Sequence, residues 1–303
     1  MRIVSLLPAA TEIVAALGRL DDLVGVSHEC NYPEAVSEKP RVTVCQIQPG
    51  DASGEIDRWV AERLARGENL FTLSEPLLRE LRPGLILTQR LCDVCAPAYG
   101  SVSALAQALP GPPRVVNLEP SSLEDIFANI ATVADLIGAA DAGQALLQSL
   151  RNRVAFVRQA ASAPAHIPRV AVLEWLDPPF SSGHWTPELV SLAGGTEVLG
   201  KAGEDSARKS WDEVALCQPE LLIIACCGQA AARAARDWEA VRGRPQIQAM
   251  PAVRAANVSI ADGNAYFSRP GPRVVDALEI VAEILHPEIF AGKFPDRGVV
   301  RSK

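Results

Sequence analysis

The residues best able to do chemistry stand in short clusters separated by apolar runs. His28-Glu29-Cys30 offers an imidazole, a carboxylate and a thiol within three positions, and Cys92-x-x-Cys95 places two sulfurs on one turn, at metal-chelating or redox distance. Combined, His28, Cys30, Cys92 and Cys95 are four N/S ligands, the set that a tetrahedral zinc or an iron–sulfur cluster takes. A thioredoxin-like reading of the CxxC fits less well, because that motif opens a helix after the first strand. Later clusters are Phe180, His184 and Trp185 in PPFSSGHW, Cys226-Cys227-Gly228, and Asn264, Tyr266 and Phe267 ahead of Arg269 in SRPGPR. Each has a plainer alternative. Cys226 and Cys227 close a strand and suit a core as well as a site, and Cys45 and Cys217 are read as packing residues. His184 and Trp185 sit beside Gly183 at a helix start able to hold an anion, or else Trp185 packs on the sheet and His184 is solvated. SRPGPR is mainly a helix entry, with Arg269 as the residue able to reach a ligand's amide or carboxylate. There is no G-x-S-x-G elbow, phosphate loop or HExxH, and GGTEVLG follows a helix where a dinucleotide fingerprint follows a strand. The expectation is a binding protein without catalytic turnover.

The elements that must position these clusters are legible as alternation. RIVSL (2–6), LVGVS (23–27), LILT (85–88) and VVNL (115–118) are short apolar runs separated by amphipathic stretches, the pattern of βαβ units around a parallel sheet. A helix opens at Ser122, with Asp125 at its third position, and carries Leu123, Ile126, Ile130, Val133 and Ile137 on one face to Gly138. A second runs from Asp141 to about Ala161. Alternation then restarts with RVAVLEW (169–175), LLIIAC (221–226), VSIADG (258–263) and a last helix from Arg273 to Leu285. EPLLRELRPGLILT (75–88) and DEVALCQPELLIIA (212–225) echo one another as helix, proline and buried strand. The fold expected is α/β: two Rossmann-like lobes, 1–120 and 168–303, bridged by a helical linker over 121–167, with the ligand in a cleft between them. In open parallel sheets ligands bind beyond the carboxyl ends of the strands, where these clusters fall.

Composition narrows the partners. A net charge of −7 without a basic stripe excludes nucleic acid, and no apolar stretch reaches the roughly 18 residues of a membrane span. Seven cysteines, an odd number, suggest a reducing compartment, and the expected location is the cytoplasm.

The order of motifs, RIVSLLPAATEIVAALG, LVGVSHECNYPEAV, LILT, SLEDIFANI, DPPFSSG, LVSLAGGTEVLG, MPAVRAANVSIADG and SRPGPRVVDALEIVAEILHPE, resembles the helical-backbone (class III) solute-binding proteins, the cobalamin and iron-chelate receptors of ABC importers. The resemblance covers nearly the whole chain. It implies a corrinoid or other metal chelate as ligand, and by position it assigns Tyr32, Pro33, Phe180 and Arg269 to the cleft lining. Two departures accompany it: QRLCDVC follows LILT where cobalamin receptors offer an aromatic, and the acidic residue used for docking to the transporter has a counterpart in Asp212 but meets Pro76 in the first lobe. An importer is therefore not favoured as partner. Two expectations stand: a receptor for a corrinoid or related chelate, lined by Tyr32, Pro33, Phe180, His184, Trp185, Tyr266 and Arg269, and, as the alternative, a zinc or iron–sulfur protein using His28, Cys30, Cys92 and Cys95.

Overall fold

A computed structural model describes residues 1–45, 52–68, 70–89, 99–162 and 166–302. The chain divides into two α/β units. The first comprises the described residues of Met1–Asp51, Glu55–Pro120 and Asp125–Gln148, and the second those of Ala52–Gly54, Ser121–Glu124 and Ser149–Lys303. The 121–167 stretch is thus shared out between the units.

In the first unit, strands β1 (Ile3–Ser5), β2 (Leu23–Val26), β5 (Leu85–Thr88) and β6 (Arg114–Asn117) form a sheet in the order β2-β1-β5-β6, every pair parallel. Helices cover it, so the central strands are buried on both faces and their sequences run apolar without alternation. Val4, Leu6 and Ile86 pack with Leu78, Leu81, Val102 and Ala106. A small antiparallel pair, β3 (Thr43–Cys45) and β4 (Phe71–Leu73), lies beside this sheet and was not expected from sequence.

In the second unit, β7 (Arg169–Leu176), β10 (Leu221–Ile224) and β11 (Val258–Ile260) form the parallel centre. β8 (Pro179–Ser181) turns back antiparallel on β7, β9 (Thr196–Glu197) joins the start of β7, and β12 (Val300–Ser302) closes the β11 edge antiparallel. Ala171, Leu173, Leu222, Ile224 and Ile260 pack against Trp211 and Trp238, whose rings are 6.4 Å apart.

The helix Leu123–Leu136 buries Leu123, Ile126, Ile130 and Val133, the stripe read from sequence. Gly138 follows in the left-handed region, φ +67°, the usual terminator. A longer helix, Ala140–Ala160, comes next.

The internal echo is structural. The helices Glu75–Leu81 and Trp211–Leu216 both end near a left-handed residue, Arg82 (φ +43°) and Gln218 (φ +46°), each followed by a proline and then a buried parallel strand. Non-glycine residues rarely take that conformation, so its recurrence at matching positions supports duplication of one half. Among the described residues, no helix is long and apolar enough to cross a membrane.

Candidate functional site

In the first unit the loop after β2 is pinned to its surroundings. His28 donates its backbone N–H to Thr43 Oγ1 at 2.9 Å and places Nδ1 2.7 Å from the same oxygen, while Nε2 lies 3.4 Å from Glu29 Oε1. Burial opposes its protonation, but hydrogen bonds to Cys45 and Glu29 outweigh that cost and push the imidazole pKa up to about 9. The Cys30 thiol is buried, 3.1 Å from Thr11 Oγ1, and Arg41 Nη1 donates to the carbonyls of Ser27 and Cys30. Beyond the pinned turn, Tyr32 is 47% exposed and joined to the half-buried Pro33 by a cis peptide bond. Cys92 and Cys95 lie outside the described residues.

In the second unit Phe180, on β8, and His184 and Tyr266, in the segments that follow β8 and β11, each have part of the residue accessible. The Arg208 guanidinium lies 5.5 Å from the Phe180 ring and Arg273 lies 5.6 Å from Tyr266, so both rings have a cation over them. Burial raises the Tyr266 hydroxyl pKa. His184 adopts φ +53° and sets Nε2 3.2 Å from Asp205 Oδ1. Two of the residues read from sequence as ligand-facing lie inside the unit. Trp185 is 5% exposed and donates Nε1–H to the Phe267 carbonyl at 3.2 Å, and Arg269 is 2% exposed and donates to Asn264 Oδ1 at 2.9 Å. Both side chains thus meet the Gly263–Phe267 turn from inside the unit. Cys226 is also interior, its thiol pKa pushed up by burial, whereas Cys227 is half-buried.

Two partly buried carboxylates lie beneath these loops. Glu174, near the end of β7, accepts the Ser206 hydroxyl at 2.5 Å and the Gly183 N–H at 3.3 Å. Burial pushes its pKa up to about 7, with Glu197 adding repulsion and the two donors pulling back. The Glu197 carboxylate accepts the N–H groups of Val172, Leu199 and Gly200 and the Ser182 hydroxyl, and its pKa is likewise raised by burial. A cavity of about 520 Å³, lined by His166, Glu220, Asn257, His286 and Arg301 among others, lies at the opposite, amino ends of β7, β10 and β11, away from these loops.

The periplasmic binding protein family matches residues 3–265. This chain belongs to that family. The vitamin B12-binding protein of Vibrio cholerae serotype O1 is 25% identical over 287 residues, covering 94% of this chain and 88% of that protein. Among solved structures, the apo periplasmic heme-binding protein RhuT from Roseiflexus sp. RS-1 is similar with a TM-score of 0.72 at 22% identity, over 94% of this chain and 98% of that one. The periplasmic vitamin B12 binding protein BtuF of Vibrio cholerae gives 0.70 at 23%, over 94% and 96%.

The comparisons lend no support to the metalloprotein alternative, two of whose ligands, Cys92 and Cys95, lie outside the described residues. Cys30 points into the first unit onto Thr11, the His28 ring is engaged by Thr43, Glu29 and Cys45, and among the described residues no group of three or more His, Cys, Asp or Glu is placed to hold a metal ion.

In the sequence Glu174 registers only as a strand-end residue, and Glu197, Asp205 and Ser206 do not register at all. A glutamate inside the apolar run RVAVLEWL is the available signal. Its raised pKa has a thermodynamic sign. The unfolded chain loses this proton near the ordinary carboxylate value of 4.5 and the folded one near 7, so stability falls as pH rises between those values and stays lower above them. Glu174→Gln, which keeps an acceptor for Gly183, is expected to raise unfolding stability at pH 8 by up to about 3 kcal/mol and to change it little near pH 4.5. Urea unfolding at the two pH values checks this; a destabilised variant at pH 8 would show that the carboxylate is not strained.

Proposed function

We propose that this protein is a non-catalytic receptor for a corrinoid or a related macrocyclic metal chelate, bound at the strand-end loops. The observation that carries the reading is the end-to-end similarity to the vitamin B12-binding protein, over 94% of this chain. The chemistry of the loops supports it. Tyr32, Phe180 and Tyr266 present aromatic surface suited to a flat apolar ring system, and Arg208 and Arg273 stand beside two of them, placed for amide or carboxylate side chains of the macrocycle. His184 supplies an imidazole near the same loops.

An importer as partner rests on the family resemblance. Asp212 is exposed on its helix, as a docking residue must be, and Pro76 is exposed at the corresponding place in the first unit, so this chain offers one acidic docking position of the two. The odd number of cysteines, seven, supports a reducing compartment as the place of action. Fractionation of cells expressing the native gene tests the location.

Titration with cyanocobalamin, followed by tryptophan fluorescence and calorimetry, is expected to show one-to-one binding. Phe180→Ala and Tyr266→Ala are each expected to weaken it by about tenfold, the worth of a buried ring contact of about 1.4 kcal/mol. Heme is the comparison ligand. Binding of heme alone would move the assignment from corrinoid to porphyrin, and binding of neither would overturn the receptor reading.

A further inference from the structure

Glu174 sits under the crossing of two segments that carry site residues. One begins at Gly183 and presents His184; the other, 203–208, presents Asp205 and Arg208. They are laced backbone to backbone: His184 N–H donates to the Glu204 carbonyl at 2.7 Å, and Gly203 N–H donates to the His184 carbonyl at 2.9 Å. Approach is so close that a Cβ on Gly183 would stand 2.4 Å from the Ser206 nitrogen. Phe180 joins the same construction through its bridge to Arg208 and through Ser181 N–H, which donates to the Ala207 carbonyl at 2.9 Å. The Glu174 carboxylate holds one donor from each segment, Gly183 N–H on Oε1 and the Ser206 hydroxyl on Oε2.

A glutamine could accept from Gly183 and meet Ser206 without the cost of burying a charge. A carboxyl group differs from it in being able to ionise, and ionisation of a group held away from water weakens the folded arrangement around it. We propose that Glu174 is a positioning residue: as a neutral carboxyl group it clamps the Gly183 and Ser206 segments together, so that Phe180, His184 and Arg208 are presented as one ligand-facing set, and ionisation slackens that clamp. The ligand-facing part rests on the receptor reading above. Other titratable groups that sense Glu174 are Glu197 from β9, whose negative charge favours its protonation, and Cys226 at the end of β10, an interior thiol with a raised pKa. The pair His184–Asp205 rides on the clamped segments.

The test measures amide-exchange protection of His184 and Gly203, corrected for intrinsic rates, and cyanocobalamin affinity, both from pH 5.5 to 8.5. In the wild type, protection and affinity are expected to fall together by about five- to tenfold as pH rises, a change of about 1 kcal/mol, because opening the segments rehydrates a group whose charge is disfavoured in the closed arrangement. Their common midpoint is expected near the Glu174 pKa of about 7. Glu174→Gln should flatten both profiles. Ser206→Ala, which removes a donor that favours the carboxylate, should keep the profile and move its midpoint to higher pH, a shift that a merely structural role would not produce. A flat wild-type protection profile, a profile that survives Glu174→Gln, or an unmoved midpoint in Ser206→Ala overturns the proposal. If the wild type binds no cyanocobalamin at any pH, the receptor reading is what fails, and the protection profile still decides the role of Glu174.

Discussion

Glu279→Ala is expected to lower the stability of the second unit by about 3–5 kcal/mol, the cost of removing one partner from a buried ion-pair network. Glu279 and Asp276 lie one turn apart on the helix Val274–Leu285 and face two arginines. Arg153 Nη2 is 2.5 Å from Asp276 and 2.6 Å from Glu279, and Arg297 Nη2 is 2.9 Å and 2.5 Å from the same two carboxylates. The Glu279 and Arg297 side chains are only 6% and 8% exposed. The four charges cancel; without Glu279, two guanidinium groups would share one carboxylate where water cannot compensate. Burial opposes the charge on Arg153, yet Glu279 and Asp276 outweigh it and hold the guanidinium firmly protonated, so the charge cannot be shed when its partner goes. In thermal unfolding the loss corresponds to a fall of about 10 °C. Arg153→Met should cost clearly less, since Arg153 is the most exposed member and Arg297 would still serve both acids. A loss below about 1 kcal/mol for Glu279→Ala would mean that the network is worth no more than a surface pair.

Gly263→Ala is expected to cost about 3 kcal/mol and to abolish tight cyanocobalamin binding. A Cβ at this position would lie 2.1 Å from the Cys226 carbonyl oxygen and 2.6 Å from the Ala225 carbonyl carbon. Both are backbone atoms just past β10, so no side chain can swing aside and the strand end or the turn must move. The turn is Gly263–Phe267, which carries Tyr266, and its Asp262 cap, bonded to Ala265 N–H at 2.7 Å, leaves it little slack. Gly243, where an added methyl would meet nothing within 4 Å, provides the control: Gly243→Ala should stay within about 0.5 kcal/mol of the wild type. Equal, small effects at the two sites would show that the β10 end yields easily.

The parallel strands were legible because each is a short apolar run bounded by turn residues; β1, β2, β5, β10 and β11 fall within the runs read from sequence, and β7 extends past its run to Leu176. The strands that escaped, β3, β4, β8, β9 and β12, have two or three residues each, too few for periodicity to register, and their existence depends on a partner elsewhere in the chain. The same division runs through the site. That His184 and Tyr266 belong to strand-end segments follows from topology, and topology could be read, whereas Phe180, expected in a loop, lies on the short strand β8. The direction of a side chain could not: Trp185 and Arg269 occupy the expected loops yet turn inward to the Phe267 carbonyl and Asn264. Nor could the partial burial of Glu174 and Glu197, since a carboxylate's depth is set by segments that arrive from 182–183 and 199–206 only in the folded chain.

Because the second unit includes residues 121–124, its sequence is not a single interval of the gene. The Leu123 N–H donates to Glu188 Oε2 at 2.8 Å, a closure across 65 positions that leaves the start of the helix Leu123–Leu136 without this acceptor until Glu188 has been synthesised. On the ribosome, that helix can coil early but cannot be capped there until translation has passed the first strands of the second sheet. A fragment made by cutting the chain after Gln148 would forfeit this contact, so splitting, permuting or exchanging halves with a relative requires the four-residue segment to travel with the half that follows it.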